Sequence, residues 1–113
     1  MKYREEKIDD VLIMRVDEPR LDSTVSSQFK TELLRLVESK KEKKILIDLK
    51  RVDYTDSSGL GALLFGHRQL KSHSGRLKLL HLNPKIQTLI KIAKLDDILE
   101  GYDNENEAVS SFK

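Results

Sequence analysis

The sequence predicts an α/β domain, with a mixed β-sheet of four to five strands packed with about four helices in one unit spanning 1–113. Three observations carry this. Short runs of apolar residues alternate with longer stretches whose apolar positions recur every three or four residues, the mark of strands separated by amphipathic helices. A chain of 113 residues has the length of a single domain and can bury one core. No internal repeat, linker or low-complexity tract divides it.

Residues 2–8 alternate weakly, Asp9-Asp10 turns the chain, and Val11 to Val16 follows as a well-buried antiparallel partner. Glu18-Pro19-Arg20 ends that pair, because proline removes a ladder donor. Leu21-Asp22-Ser23-Thr24 is a cluster of helix-capping types, and Val25, Phe29, Leu33, Leu36 and Val37 then mark one face of a helix from about Val25 to Lys40. The basic run Lys40-Lys41-Glu42-Lys43-Lys44 suits a helix C-terminus followed by a solvated turn. Ile45 to Leu49 reads as a fully buried strand. After the turn at 53–58 a second helix carries Ala62, Leu63, Leu64, Phe65, His67 and Leu70, and His73-Ser74-Gly75 signals its end. Arg76 to Leu82 is a strand, and Asn83-Pro84 opens a third helix with inner face Ile86, Leu89, Ile90 and Ala93. Leu95 to Leu99 connects to a short edge strand near Leu99 to Tyr102, and Asn104 with Glu107 starts a last helix ending at Phe112 as a capping box.

Composition narrows the function. Charged residues make up 35% of the chain, yet the net charge is only +2, so no basic bias of the kind used to bind nucleic acid directly is present. Cysteine is absent, which excludes disulfides and thiol chemistry. No stretch approaches the roughly 20 apolar residues of a membrane span, and the N-terminus has no secretory hydrophobic segment. A soluble cytoplasmic protein with no membrane association is expected.

The most unusual chemistry lies in Asp53-Tyr54-Thr55-Asp56-Ser57-Ser58-Gly59-Leu60-Gly61, between a buried strand and a helix. A helix N-terminus carries unpaired N–H groups and about half a positive charge. Gly59 and Gly61 lack Cβ atoms and let another backbone approach the first turn. A serine nucleophile is disfavoured, because His67 is ten residues further on, roughly 15 Å along a helix, and the nucleophile-elbow pattern of glycine two before and two after the serine is not met, since Thr55 and Asp56 precede Ser57. Three unclustered histidines give no metal-ligand set, and the Gly-Lys-Ser/Thr ending of a phosphate-binding loop is absent, so no cofactor is expected. His67 reads as a packed, hydrogen-bonded histidine. Two readings of the turn remain. Asp56, Ser57 or Ser58 caps the helix, or one serine is presented for phosphorylation, which would add about −1.5 to −2 charges to a docking surface.

Asp56-Ser57-Ser58-Gly59-Leu60-Gly61 after a strand resembles the signature of the STAS-domain anti-sigma factor antagonists of bacteria, and Leu21-Asp22 before the first helix is similar to a second motif of that family. The order of elements fits along nearly the whole chain. One departure stands out: a glycine often precedes that second motif in the family, whereas Glu18-Pro19-Arg20 occupies the approach here. The resemblance implies a STAS-like single domain that is not an enzyme but a binding switch. Ser57, directly after the motif's aspartate, would be the phosphorylated residue. The unphosphorylated protein would bind an anti-sigma factor serine kinase and free the sigma factor. Phosphorylation would release it, and a PP2C-type phosphatase would reset it. Asp22, Ser23, Asp56, Ser58, Gly59, Leu60 and Gly61, with the exposed part of the 59–66 helix, would form the docking face of a protein that is monomeric when free. The alternative within the family is a non-phosphorylated STAS scaffold subunit of a transporter or larger signalling complex, in which Ser57 is only a cap.

Overall fold

The computed structural model describes residues 1–113. The strands are β1 (Tyr3–Ile8), β2 (Val11–Val16), β3 (Arg20–Leu21), β4 (Lys44–Asp48), β5 (Tyr54–Thr55), β6 (Arg76–Leu80) and β7 (Gly101–Tyr102). The helices are α1 (Ser26–Glu38), α2 (Ser57–Ser72), α3 (Pro84–Ile92) and α4 (Glu105–Ser110). Five strands form one sheet in the order β1-β2-β4-β6-β7, antiparallel at β1–β2 and parallel elsewhere. The mixed sheet and the four helices agree with the expectation. The two-residue turn Asp9-Asp10 joins β1 to β2, with Asp9 at φ 56°.

Alternation along the strands builds two cores, because successive side chains leave a strand on opposite faces. Leu12, Met14 and Val16 of β2, Ile45 and Ile47 of β4, and Leu77 and Leu79 of β6 meet α1, α2 and α3 on one face. Val11, Ile13, Leu46 and Leu80 point the other way, where Ala108, Val109 and Phe112 of the α4 segment cover them. On that second face Arg15 reaches Asp48 at 2.8 Å, Glu105 at 2.9 Å and Glu6 at 2.9 Å, tying three strands and α4 to one guanidinium. Lys78 is also buried there and donates to the Ser111 carbonyl at 2.9 Å.

Four local expectations are corrected. The Leu21 to Thr24 cluster does not cap α1, whose N-cap position is Val25 with no side-chain bond; the Asp22 carboxylate instead accepts from the Thr24 amide at 3.0 Å, closing a turn one step earlier. At the end of α2 the left-handed residue is Ser74, at φ 61°, and Gly75 is needed for space, since a Cβ there would lie 2.6 Å from the Lys43 carbonyl. Ala93 is exposed, because α3 ends at Ile92 and the chain turns away. At α4 the Asn104 side chain accepts from the Glu107 amide at 2.9 Å, but no bond returns from the Glu107 side chain, and the helix stops at Ser110 with Phe112 inserted beyond it.

Candidate docking and modification site

A second, two-stranded sheet that no periodicity announced organises the serine turn. β3 and β5 pair in parallel, with Arg20 opposite Tyr54 and Leu21 opposite Thr55. The Pro19 carbonyl accepts from the Asp53 amide at 2.8 Å, extending the pairing. Asp22 and Asp56 each follow the last paired residue, so the two residues leave the same end of this small sheet. The Thr55 hydroxyl, buried, donates to the Leu21 carbonyl at 2.8 Å and locks the two segments.

Asp56 is the N-cap of α2. Its backbone is extended, and its Oδ1 accepts from the amides of Ser58 at 2.9 Å and Gly59 at 3.1 Å. The capping role therefore belongs to the aspartate. Ser57 occupies the first helical position, exposed, and its hydroxyl makes no hydrogen bond to the chain. Ser58 beside it is half-buried.

Gly59 lies against β3, where a Cβ would sit 2.1 Å from both the Leu21 carbonyl and the Thr55 hydroxyl. The close backbone approach expected at the glycines is thus satisfied within the chain at Gly59. Gly61 has nothing within 4 Å of its would-be Cβ and faces outward. Leu60 is buried, so of the signature residues after the serines only Gly61 contributes open surface, with the half-buried Leu64 and Phe65 further along α2.

Asp22 is held below the ordinary carboxylate pKa, chiefly by the Thr24 hydroxyl and then by the Thr24 amide, with a smaller contribution from Arg20. The Arg20 guanidinium bonds Asp22 at 3.2 Å and stacks 4.5 Å over the ring of the exposed Tyr54. Sequence reasoning named Asp22, Ser23 and Ser57 but passed over Arg20 and Tyr54, because a two-residue strand pair leaves no pattern. His67 is half-buried on α2 with no side-chain hydrogen bond, contrary to expectation. Burial and then the neighbouring Lys71 and Arg68 push its pKa down. No cluster of three or more potential metal ligands exists, and no helix is long and apolar enough to cross a membrane.

With this geometry in place, a family model described as the STAS domain matches residues 3–108. The chain belongs to the STAS domain family. BtrV of Bordetella bronchiseptica, assigned as an anti-sigma factor antagonist, is 31% identical over 113 residues, covering 100% of this chain and 96% of that one. A crystal structure from Thermotoga maritima, also assigned as an anti-sigma factor antagonist, superposes with a TM-score of 0.87 at 25% identity, covering 97% of this chain and 93% of that chain. The Bacillus cell fate determinant SpoIIAA in its phosphorylated form gives a TM-score of 0.75 at 21% identity, covering 99% of this chain and 100% of that one. At that identity the likeness speaks for the fold alone. Within this STAS domain the β3–β5 ledge, the Asp56 cap and the free Ser57 hydroxyl form one continuous surface feature at the start of α2.

Proposed function

We propose that the protein is an anti-sigma factor antagonist that acts as a phosphorylation-controlled binding switch. The unphosphorylated form binds an anti-sigma factor that is also a serine kinase, freeing the sigma factor. Transfer of the γ-phosphoryl group of ATP to Ser57 Oγ, with release of ADP and the hydroxyl proton, ends the complex. A PP2C-type phosphatase restores the free serine. The cytoplasm is the compartment this requires.

One observation carries the reading: Asp56 performs the capping, so the neighbouring Ser57 hydroxyl has no structural task and stands exposed. A phosphate there gains from the amides at the helix end, so the fold tolerates it. It also adds charge directly beside Asp56 and next to Asp22, which changes the surface a partner meets. The relationship to a STAS relative assigned as an anti-sigma factor antagonist supports the class of partner. Asp22, Ser23, Asp56, Ser58 and Gly61, carried on the ledge formed by buried Gly59 and Leu60, are the proposed docking face.

The test is capture of partners with wild-type, Ser57→Ala and Ser57→Asp baits, followed by addition of ATP. Wild type should hold the kinase until ATP is added, Ser57→Ala should hold it throughout, and Ser57→Asp should fail to hold it. Release of Ser57→Ala by ATP would overturn the switch. Equal recovery of a transporter or signalling complex by all three baits would select the scaffold role instead.

A further inference from the structure

One aromatic ring stands exposed beside the serine turn and fills no core. β3 and β5 alternate in step, so Leu21 and Thr55 point inward and are buried, whereas Arg20 and Tyr54 point outward. Tyr54 is 44% exposed, one of three large apolar side chains left in solvent. Its ring is nevertheless held. The Arg20 guanidinium lies 4.5 Å over it and is itself bonded to Asp22 at 3.2 Å. Ordering a surface side chain costs rotamer freedom, and here that ordering precedes any partner.

Between β5 and α3 runs a preformed groove. It measures about 190 Å³ and is lined by Asp53, Tyr54, Thr55, Lys85, Ile86 and Leu89. Ile86 is buried at its floor, and the half-buried Leu89 faces Tyr54 as a second apolar wall. The Asn83 side chain, besides capping α3, donates to the carbonyls of Val52 at 3.1 Å and Asp53 at 3.2 Å, which fixes the helix against the segment entering β5. Ile92, three residues beyond Leu89 on that side of α3, is 72% exposed. Asp53 and Lys85 contribute one charge of each sign, so the groove selects for apolar shape rather than for charge.

Its position decides what covers it. A partner that phosphorylates Ser57 sits on that residue, and a specific interface covers roughly 800 Å² of each protein, a patch about 30 Å across. Tyr54 precedes Ser57 by three residues, at most about 10 Å of extended chain, and so falls under that patch. We propose that Tyr54 is an anchor of the kinase interface: the groove between Tyr54 and Leu89 receives an apolar side chain of the anti-sigma factor kinase, and Arg20 is the positioning residue that holds the ring. This rests on the switch proposed above and extends its docking face from Ser57 across β5 to α3. Tyrosine and arginine are the types that dominate interface energetics, and a ring already fixed loses little freedom on binding.

Two measurements with the kinase retained by the Ser57→Ala bait test this. In the first, labelled ATP follows phosphoryl transfer to Ser57 as the concentration of this protein is varied. Tyr54→Ser should raise KM about tenfold or more with kcat within about twofold of wild type, as truncation of a hot spot implies. Tyr54→Phe, which keeps the ring, should restore KM, and Lys40→Gln, at the far end of α1, should change neither constant. In the second, Tyr54→Trp supplies the only tryptophan of a chain that has none, and 5-fluorotryptophan labelling makes it the one fluorine signal in the complex. That signal should shift on addition of the kinase. An unchanged KM for Tyr54→Ser overturns the anchor, as does a fall in kcat at constant KM, which would mean that the ring only holds the serine in place. An unmoved fluorine signal also overturns it. Absence of phosphoryl transfer to wild type is a different failure, which removes the switch itself and the anchor with it.

Discussion

Gly59 and Gly61 lie two positions apart in the first turns of α2 and meet opposite surroundings. A methyl group on Gly59 has no room, because the Leu21 carbonyl and the Thr55 hydroxyl each lie 2.1 Å from its position, and neither is a flexible chain end. Gly59→Ala should push β3 off α2 and cost about 3 kcal/mol, at the upper end of overpacking effects. A methyl on Gly61 meets nothing within 4 Å, and alanine is the better helix former by about 1 kcal/mol. Gly61→Ala should therefore stabilise the free protein by about 0.5–1 kcal/mol in urea denaturation. If Gly61 is open because a partner backbone lies there, the same variant should bind the captured kinase at least tenfold more weakly. Unchanged binding would remove Gly61 from the docking face. Stability and binding then move in opposite directions at a single residue, which a purely structural glycine does not do.

At the scale of elements, the start of α2 separates capping from presentation. Asp56→Ala removes the acceptor of two amide donors and should lower stability by about 1–2 kcal/mol, whereas Asp56→Asn should recover most of that loss. Ser57→Ala removes an exposed hydroxyl that bonds nothing and should stay within about 0.5 kcal/mol of wild type. Thermal or urea unfolding of the three variants checks this, and a loss at Ser57→Ala as large as that at Asp56→Ala would return the serine to a capping role. The sequence already carried most of these elements: the run Ile45 to Leu49 is too apolar for anything but a buried strand, and Asn83-Pro84 sits where a helix opening wants it. What stayed hidden has physical reasons. The β3–β5 pair is two residues long on each side, below the length at which alternation becomes visible, so the pairing that brings Asp22 and Asp56 to one end leaves no mark in the sequence beyond capping-type residues and a turn. Asp22 looked like a cap for α1 because capping and turn-closing use the same carboxylate chemistry, and only the register decides between them. At His73-Ser74-Gly75 a glycine is normally the left-handed residue, but contact with the Lys43 carbonyl had already claimed Gly75 for its small size.

Across the whole molecule, carboxylates at separate seams respond to pH in the same direction. Asp10 is held low by Lys44, Asp17 by Arg4, Asp22 by the Thr24 hydroxyl and Glu32 by the Tyr3 hydroxyl and then Arg35. Each has a folded pKa below its unfolded one, so the unfolded chain binds protons first as pH falls. Their stabilisation is complete above the ordinary carboxylate range of about 4 and is lost as pH drops through the lowered folded values. His67 acts in the same direction at higher pH. Burial and its cationic neighbours depress its folded pKa, so its stabilisation is complete above about 6.5 and declines as pH falls through the lower folded value. The urea midpoint should therefore fall in two stages on acidification, one beginning near pH 6.5 and one below about pH 4. His67→Gln should flatten the first stage and leave the second. The double variant Asp17→Asn/Glu32→Gln should shrink the second and leave the first. A single stage that both variants alter equally would mean that His67 and the carboxylates titrate as one coupled set, although His67 sits on α2 and those two carboxylates serve the β1 side of the molecule.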